Sequence, residues 1–168
     1  MGTDAEERAQ NRAFRLLALR PRSEKELRDR LLQNYDRDIT NHVIQKCKDN
    51  RYLNDKDFAL ARARQLAVHR LQGDRAIKTD LSGKGLDQAT ITNAIQTIRR
   101  ELSEREAIKK LITKKRPRQF PERQEKEKMG RYLLAKGFAA ELIFEILNRE
   151  SWGFHTECEE NSFHDDRQ

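Results

Sequence analysis

Helix breakers are scarce in this chain. Proline occurs three times in 168 residues, at positions 21, 117 and 121, and glycine only seven times. β-Branched residues do not cluster, and no stretch alternates polar with apolar over more than a few positions. These absences exclude a sheet protein and leave an all-α chain as the economical reading. Cysteine is limited to Cys47 and Cys158, far apart and without metal or redox spacing, which excludes a disulfide framework and fits reduced thiols. Aromatic residues make up 7%, too few for a base-stacking platform of the single-strand-binding kind. Apolar runs are a few residues long, as at Phe138-Ala139-Ala140, which excludes a membrane-spanning helix. The acidic start around Asp4, Glu6 and Glu7 lacks the apolar core of a secretory signal, so the chain is expected to be cytoplasmic with no membrane contact.

Catalytic signatures are also missing. The sequence holds no G-x4-G-K-[ST] phosphate loop, no G-x-G-x-x-G and no nucleophile elbow. His42 and His69 stand in helical stretches without partners. His155-x-x-Cys158 and His164 fall in an acidic terminal segment with no apolar periodicity, a poor metal cradle. No enzyme activity, metal or cofactor is expected.

What is abundant is charge. Lysine and arginine number 35 against 28 acids, a net of +7. From Glu150 to Gln168 six acids face one arginine, a local −5, so residues 1–149 carry +12. A basic body favours a polyanionic partner. Two groups stand out. One comprises Arg62, Arg64, Arg70, Arg75, Lys78 and Lys84. The other lies within residues 105–131, where eleven cations (Lys109, Lys110, Lys114, Lys115, Arg116, Arg118, Lys126, Lys128 and Arg131 among them) meet four acids. Lys136 follows shortly after. Neutralising phosphates requires many cations on one surface rather than a set sequence. The 151–168 segment is expected to be a mobile acidic tail that weakens polyanion binding.

Punctuation divides the chain into nine helices. Ser23-x-x-Glu26 and Ser103-x-x-Glu106 read as capping boxes, and Asp38, Asn54 and Asp87 as further helix starts. Apolar stripes follow: Ala9, Ala13 and Leu16; Leu27 and Leu31; Ile39, Val43 and Cys47; Ile91, Ile95 and Ile98. The strongest internal feature is a repeat. Adding 52 maps Ile77 onto Met129, Leu81 onto Leu133, Lys84-Gly85 onto Lys136-Gly137, Leu86 onto Phe138 and Ile91 onto Ile143. A weaker upstream copy runs through Leu27, Leu31, Tyr35, Ile39 and Val43, with a turn two residues shorter and no Lys-Gly. In each copy a short helix ends at a turn, an apolar residue plugs the corner, and a second helix crosses over it. With a preceding helix this predicts an elongated array of three tandem three-helix, helix-turn-helix-like repeats: 1–52, 53–102 and 103–150.

These residues resemble a known family. Ser23-x-x-Glu26-Leu27-x3-Leu31, Tyr52-Leu53-Asn54-Asp55-x-x-Phe58-Ala59, Gly73-x3-Ile77-x-x-Asp80-Leu81-x-x-Lys84-Gly85-Leu86 and Tyr132-Leu133-Leu134-x-Lys136-Gly137-Phe138 match, in order and spacing, the pattern of RecX proteins over about residues 10–149. The sequence departs from that pattern at Ala76, where the family usually has arginine, and at Asp80, where it usually has glutamate. The resemblance implies a modular regulator of the RecA recombinase. Such a protein binds the RecA–DNA filament, inhibits its ATP hydrolysis and strand exchange, and acts in DNA repair, recombination and the SOS response. Its partners would be the RecA filament and single-stranded DNA without sequence preference, bound by a monomer. A helix-turn-helix transcriptional regulator is the competing expectation. It requires base-reading side chains, and Gln88 and Asn93 on the sixth helix have no counterpart on the ninth. A helical adaptor for an acidic protein is a third.

Overall fold

The computed structural model describes residues 4–115 and 122–149. The prolines at 117 and 121, Arg116, Arg118 and the acidic segment with its histidines lie outside them. The described residues contain nine helices and no strand: α1 Asp4–Leu19, α2 Glu24–Leu31, α3 Arg37–Asp49, α4 Asp55–Arg64, α5 Asp74–Gly83, α6 Gln88–Arg99, α7 Glu104–Lys115, α8 Glu122–Ala135 and α9 Ala140–Arg149. α4 runs on through a π-helical turn, Gln65–His69, and none of these helices is long and apolar enough to cross a membrane.

Four helix starts, those of α2, α4, α6 and α7, follow from side-chain chemistry. Ser23 Oγ accepts the Glu26 N–H at 3.2 Å, and the Glu26 carboxylate accepts the Ser23 N–H at 3.4 Å, closing a capping box. Ser103 and Glu106 repeat the arrangement at 3.2 and 2.9 Å. Asn54 Oδ1 accepts the N–H groups of Lys56 and Asp57, and Asp87 that of Thr90. The third helix differs from the sequence reading. It begins at Arg37 behind Asp36, which makes no side-chain cap bond. Asp38 sits inside the first turn, where its charge complements the helix dipole.

Three apolar clusters fill the interior. The first joins Ala9, Ala13 and Leu16 with Leu27, Leu31, Val43, Ile44 and Cys47. The second gathers Phe58, Ala63, Leu66, Ile77, Leu81, Ile91 and Ile98, and the third Ile108, Leu111, Met129, Leu133, Phe138, Ile143 and Ile146. Each draws on three successive helices, which gives the tandem three-helix architecture. The buried face of α3 is Thr40, Val43, Ile44 and Cys47, with Ile39 only half-buried. This shifts the expected register by one. Thr40 corresponds to Ile91, Tyr35 to Leu86 and Asp36 to Asp87, so the first copy's turn is one residue shorter, not two. Thr40 occupies an isoleucine position, and its hydroxyl is buried with no hydrogen-bond partner.

The units are joined by docking the turn of one onto the second helix of the unit before it. At the first junction Ser23 Oγ donates to the Lys84 carbonyl at 2.7 Å, and the Glu24 N–H donates to Asp55 Oδ1 at 2.8 Å. At the second, the Gly73 N–H donates to the Lys136 carbonyl at 2.9 Å, the Arg75 N–H to the Gly137 carbonyl at 3.2 Å, and the Asp74 N–H to Glu104 Oε1 at 2.8 Å. Gly85 and Gly137 have φ of +81° and +88°. A Cβ on Gly137 would stand 2.5 Å from Ala76, and one on Gly73 would stand 2.4 Å from the Gly137 backbone. Left-handed geometry and backbone contact both require glycine here. Val68 and Leu71, from the end of the π turn, also pack on the third cluster; Leu71 takes φ of +50° to get there.

Candidate functional site

The basic residues fall into two groups by what they bond. Arg62 makes a two-pronged bond to Asp80 at 2.9 and 2.7 Å across α4 and α5. Asp80 is held below the usual carboxylate range, first by that hydrogen bond. Arg64 forms a similar pair with Glu101 on the surface. Lys84 donates to Glu26 Oε1 at 2.7 Å, and Arg20 bonds the same carboxylate at 3.2 Å. Burial alone would raise the Glu26 pKa, but the bonds from Arg20 and Lys84 outweigh it and bring it to about 2. These cations are largely balanced, and Lys84 with Glu26 clamps the first junction.

The second junction carries the same lysine in different company. The position equivalent to Glu26 is Ala76, so Lys136 meets no carboxylate there. Its ammonium donates to the Arg70 carbonyl at 3.1 Å and lies 5.8 Å from the centroid of the Tyr132 ring. Lys115, at the end of α7, sits over the same ring at 3.8 Å. Cations held over an aromatic face are attracted by its quadrupole without being neutralised. Arg70 and Arg75 are exposed on the second unit's side of this junction, and Lys78 lies one turn beyond Arg75 on α5. The structure therefore brings Arg70, Arg75, Lys115 and Lys136 to one corner formed by two units. The nearby carboxylates are spoken for: Asp74 bonds Arg99 at 2.8 Å, and Glu104 accepts the Asp74 N–H. Burial raises the Glu104 pKa.

The remaining expected residues line the third unit. Lys109, Lys110 and Lys114 lie exposed on α7, opposite the buried Ala107, Ile108, Leu111 and Ile112. Lys126 is half-exposed and Lys128 and Arg131 exposed on α8. Lys109, Lys126 and Lys128 each engage neighbouring groups. Arg116 and Arg118 lie outside the described residues. Sequence reasoning gave Tyr132 no part in the basic site, yet it is half-buried at the edge of the third cluster and organises two ammonium groups. Lys136 one turn later on the same face was the available signal. Among the described residues no three His, Cys, Asp or Glu side chains assemble into a metal site.

Stacked three-helix units with a basic corner at a junction define a modular, all-helical scaffold. Comparison with known proteins identifies which. Family models for the first and third three-helix domains of RecX match residues 9–47 and 103–147. A Regulatory protein RecX of Syntrophotalea carbinolica is 31% identical over 142 residues, covering 82% of this chain and 93% of that protein. That of Bacillus velezensis is 32% identical over 93% of this chain, which spans 60% of that longer relative. The crystal structure of RecX from Lactobacillus salivarius superposes with a TM-score of 0.72 at 26% identity, covering 86% of this chain and 96% of that one. The chain belongs to the RecX family of regulatory proteins.

Proposed function

We propose that this protein is a non-enzymatic modulator of the RecA recombinase. It binds the RecA–DNA filament as a monomer and limits ATP hydrolysis and strand exchange. Its units span residues 1–52, 53–102 and 103–150. The observation that carries the reading, beyond family membership, is the corner of Arg70, Arg75, Lys115 and Lys136. It is a cationic surface shared by two units, and Lys78 on α5 and Lys110 and Lys114 on α7 are exposed on the same two units. Such a surface suits the phosphates of a nucleoprotein filament without reading bases. Contacts spread over two units also make the second contact intramolecular once the first is made, so modest patches suffice.

Arg62 and Lys84 pair with half-buried carboxylates and Arg64 with Glu101 on the surface, which supports reading all three as scaffold contacts and the second-junction corner as the face towards the polyanion. Base reading by a repeated recognition helix is disfavoured by α9, whose first turn offers only Glu141 and apolar residues. The test is RecA ATP turnover on single-stranded DNA with wild type and with Lys115→Glu/Lys136→Glu. Wild type is expected to suppress turnover at near-stoichiometric amounts, and the double variant to do so weakly. Turnover untouched by wild type would overturn the reading. Full inhibition by the variant would overturn the residue assignment.

A further inference from the structure

We propose that the groove between α8 and α9 is the docking site for this chain's own residues 150–168, with Trp152 as the anchor. The groove has a volume of about 830 Å³ and an apolar floor that includes Gly130, Leu134, Ile143, Phe144 and Leu147. Phe144 is 72% exposed and Leu134 46%, side chains that a solvated helix pair has no reason to display together.

Gly130 is the telling residue. It lies inside α8 with no left-handed φ to explain it, and a Cβ there would meet only Leu147 at an ordinary 3.8 Å. A glycine in a helix interior costs about 1 kcal/mol relative to alanine. Neither backbone conformation nor close packing requires it. What its missing side chain does is deepen the groove.

The occupant follows from where the described chain stops. Arg149 ends α9, and Leu147 and Asn148 of its last turn line the groove. Trp152 comes three residues later, within roughly 10 Å of extended chain. Phe154 is two further on. The segment's six acids and single arginine oppose the +12 of residues 1–149, while the groove's own charged rim is balanced, with Lys126 beside Glu127. An aromatic anchor followed by acids matches an apolar slot on a body of strong net positive charge. Seated there, the acids run along α8 beside Lys128 and Arg131.

Trp152 is the sole tryptophan, so its fluorescence reports the site directly in the full chain. The wild type is expected to show an emission maximum clearly blue-shifted from that of the same chain in urea, with a several-fold lower acrylamide quenching constant. Phe144→Asp breaks the wall and Gly130→Leu fills the floor. Both should red-shift the emission and raise quenching at unchanged helical circular dichroism. Gly130→Leu separates release from unfolding, because it replaces glycine by a better helix former. Solvated emission in the wild type would overturn the proposal, as would a blue shift that survives both variants. A blue shift that grows with protein concentration would assign the groove to a second copy instead.

Discussion

Replacing Glu26 with glutamine tests the clamp at the first junction. Glu26 caps α2 and bonds both Arg20 and Lys84, and its pKa stands at about 2 against a reference of 4.5. A depressed carboxylate pKa contributes stability that is fully present above the unfolded value and is lost as pH falls through the folded value. At about 1.4 kcal/mol per pKa unit the gap corresponds to about 3 kcal/mol. Its side chain is only 15% exposed, but solvent around Arg20 screens part of this, so about 2 kcal/mol is the working figure. Urea unfolding of wild type and Glu26→Gln should therefore differ by about 2 kcal/mol at pH 6. The difference should hold down to about pH 4.5 and shrink towards zero as pH approaches 2. Adding Lys84→Met to the variant should cost little more, since the pair acts as a unit. If the wild-type and variant curves stay parallel from pH 6 to pH 2, Glu26 is not the linked group and the clamp argument fails.

Gly137→Ala should destabilise the chain by roughly 2 kcal/mol or more, through left-handed strain and the collision with Ala76. A change in urea midpoint within error would refute this. Thr40→Val should stabilise by about 1 kcal/mol, because it removes a buried hydroxyl without a partner while keeping the shape; a lower melting temperature would contradict it. Affinity for single-stranded DNA should fall with salt at a log–log slope of about −0.7 per phosphate neutralised. Lys115→Glu/Lys136→Glu should make that slope shallower, and an unchanged slope would place the contacts elsewhere. Ending the chain after Glu150 should raise DNA affinity at low salt, and unchanged or weaker binding would rule out a competing tail.

The local grammar of this protein is plainly written. Ser23, Asn54, Asp87 and Ser103 start helices because each presents an acceptor to orphan N–H groups. Gly85 and Gly137 mark the turns because only glycine takes their φ without strain. What eluded the sequence is whatever depends on partners distant in the chain. Arg51 and Leu71 adopt left-handed conformations without being glycine; at Leu71 packing against another unit outweighs local preference. The π turn carries no breaker residue. The register of α3 is hidden in the sequence because Thr40, a polar residue, takes a core position while Ile39 beside it looks the better candidate. At the site, Arg62 and Lys84 looked equivalent to Arg75 and Lys136. Their partners, Asp80 and Glu26, are brought to them only by folding.

The junction bonds give the array a direction in time as well as in space. α2 is capped by its own Ser23 and Glu26, and the later acceptor of its Glu24 N–H, Asp55, follows closely in the chain. α5 begins at Gly73, which offers no side-chain cap, and its first N–H groups bond Lys136, Gly137 and Glu104. Those acceptors are synthesised later. During translation the middle unit must therefore wait with an open helix end until the last unit's turn emerges. Nascent chains halted before that turn should protect α2 from hydrogen exchange well before α5.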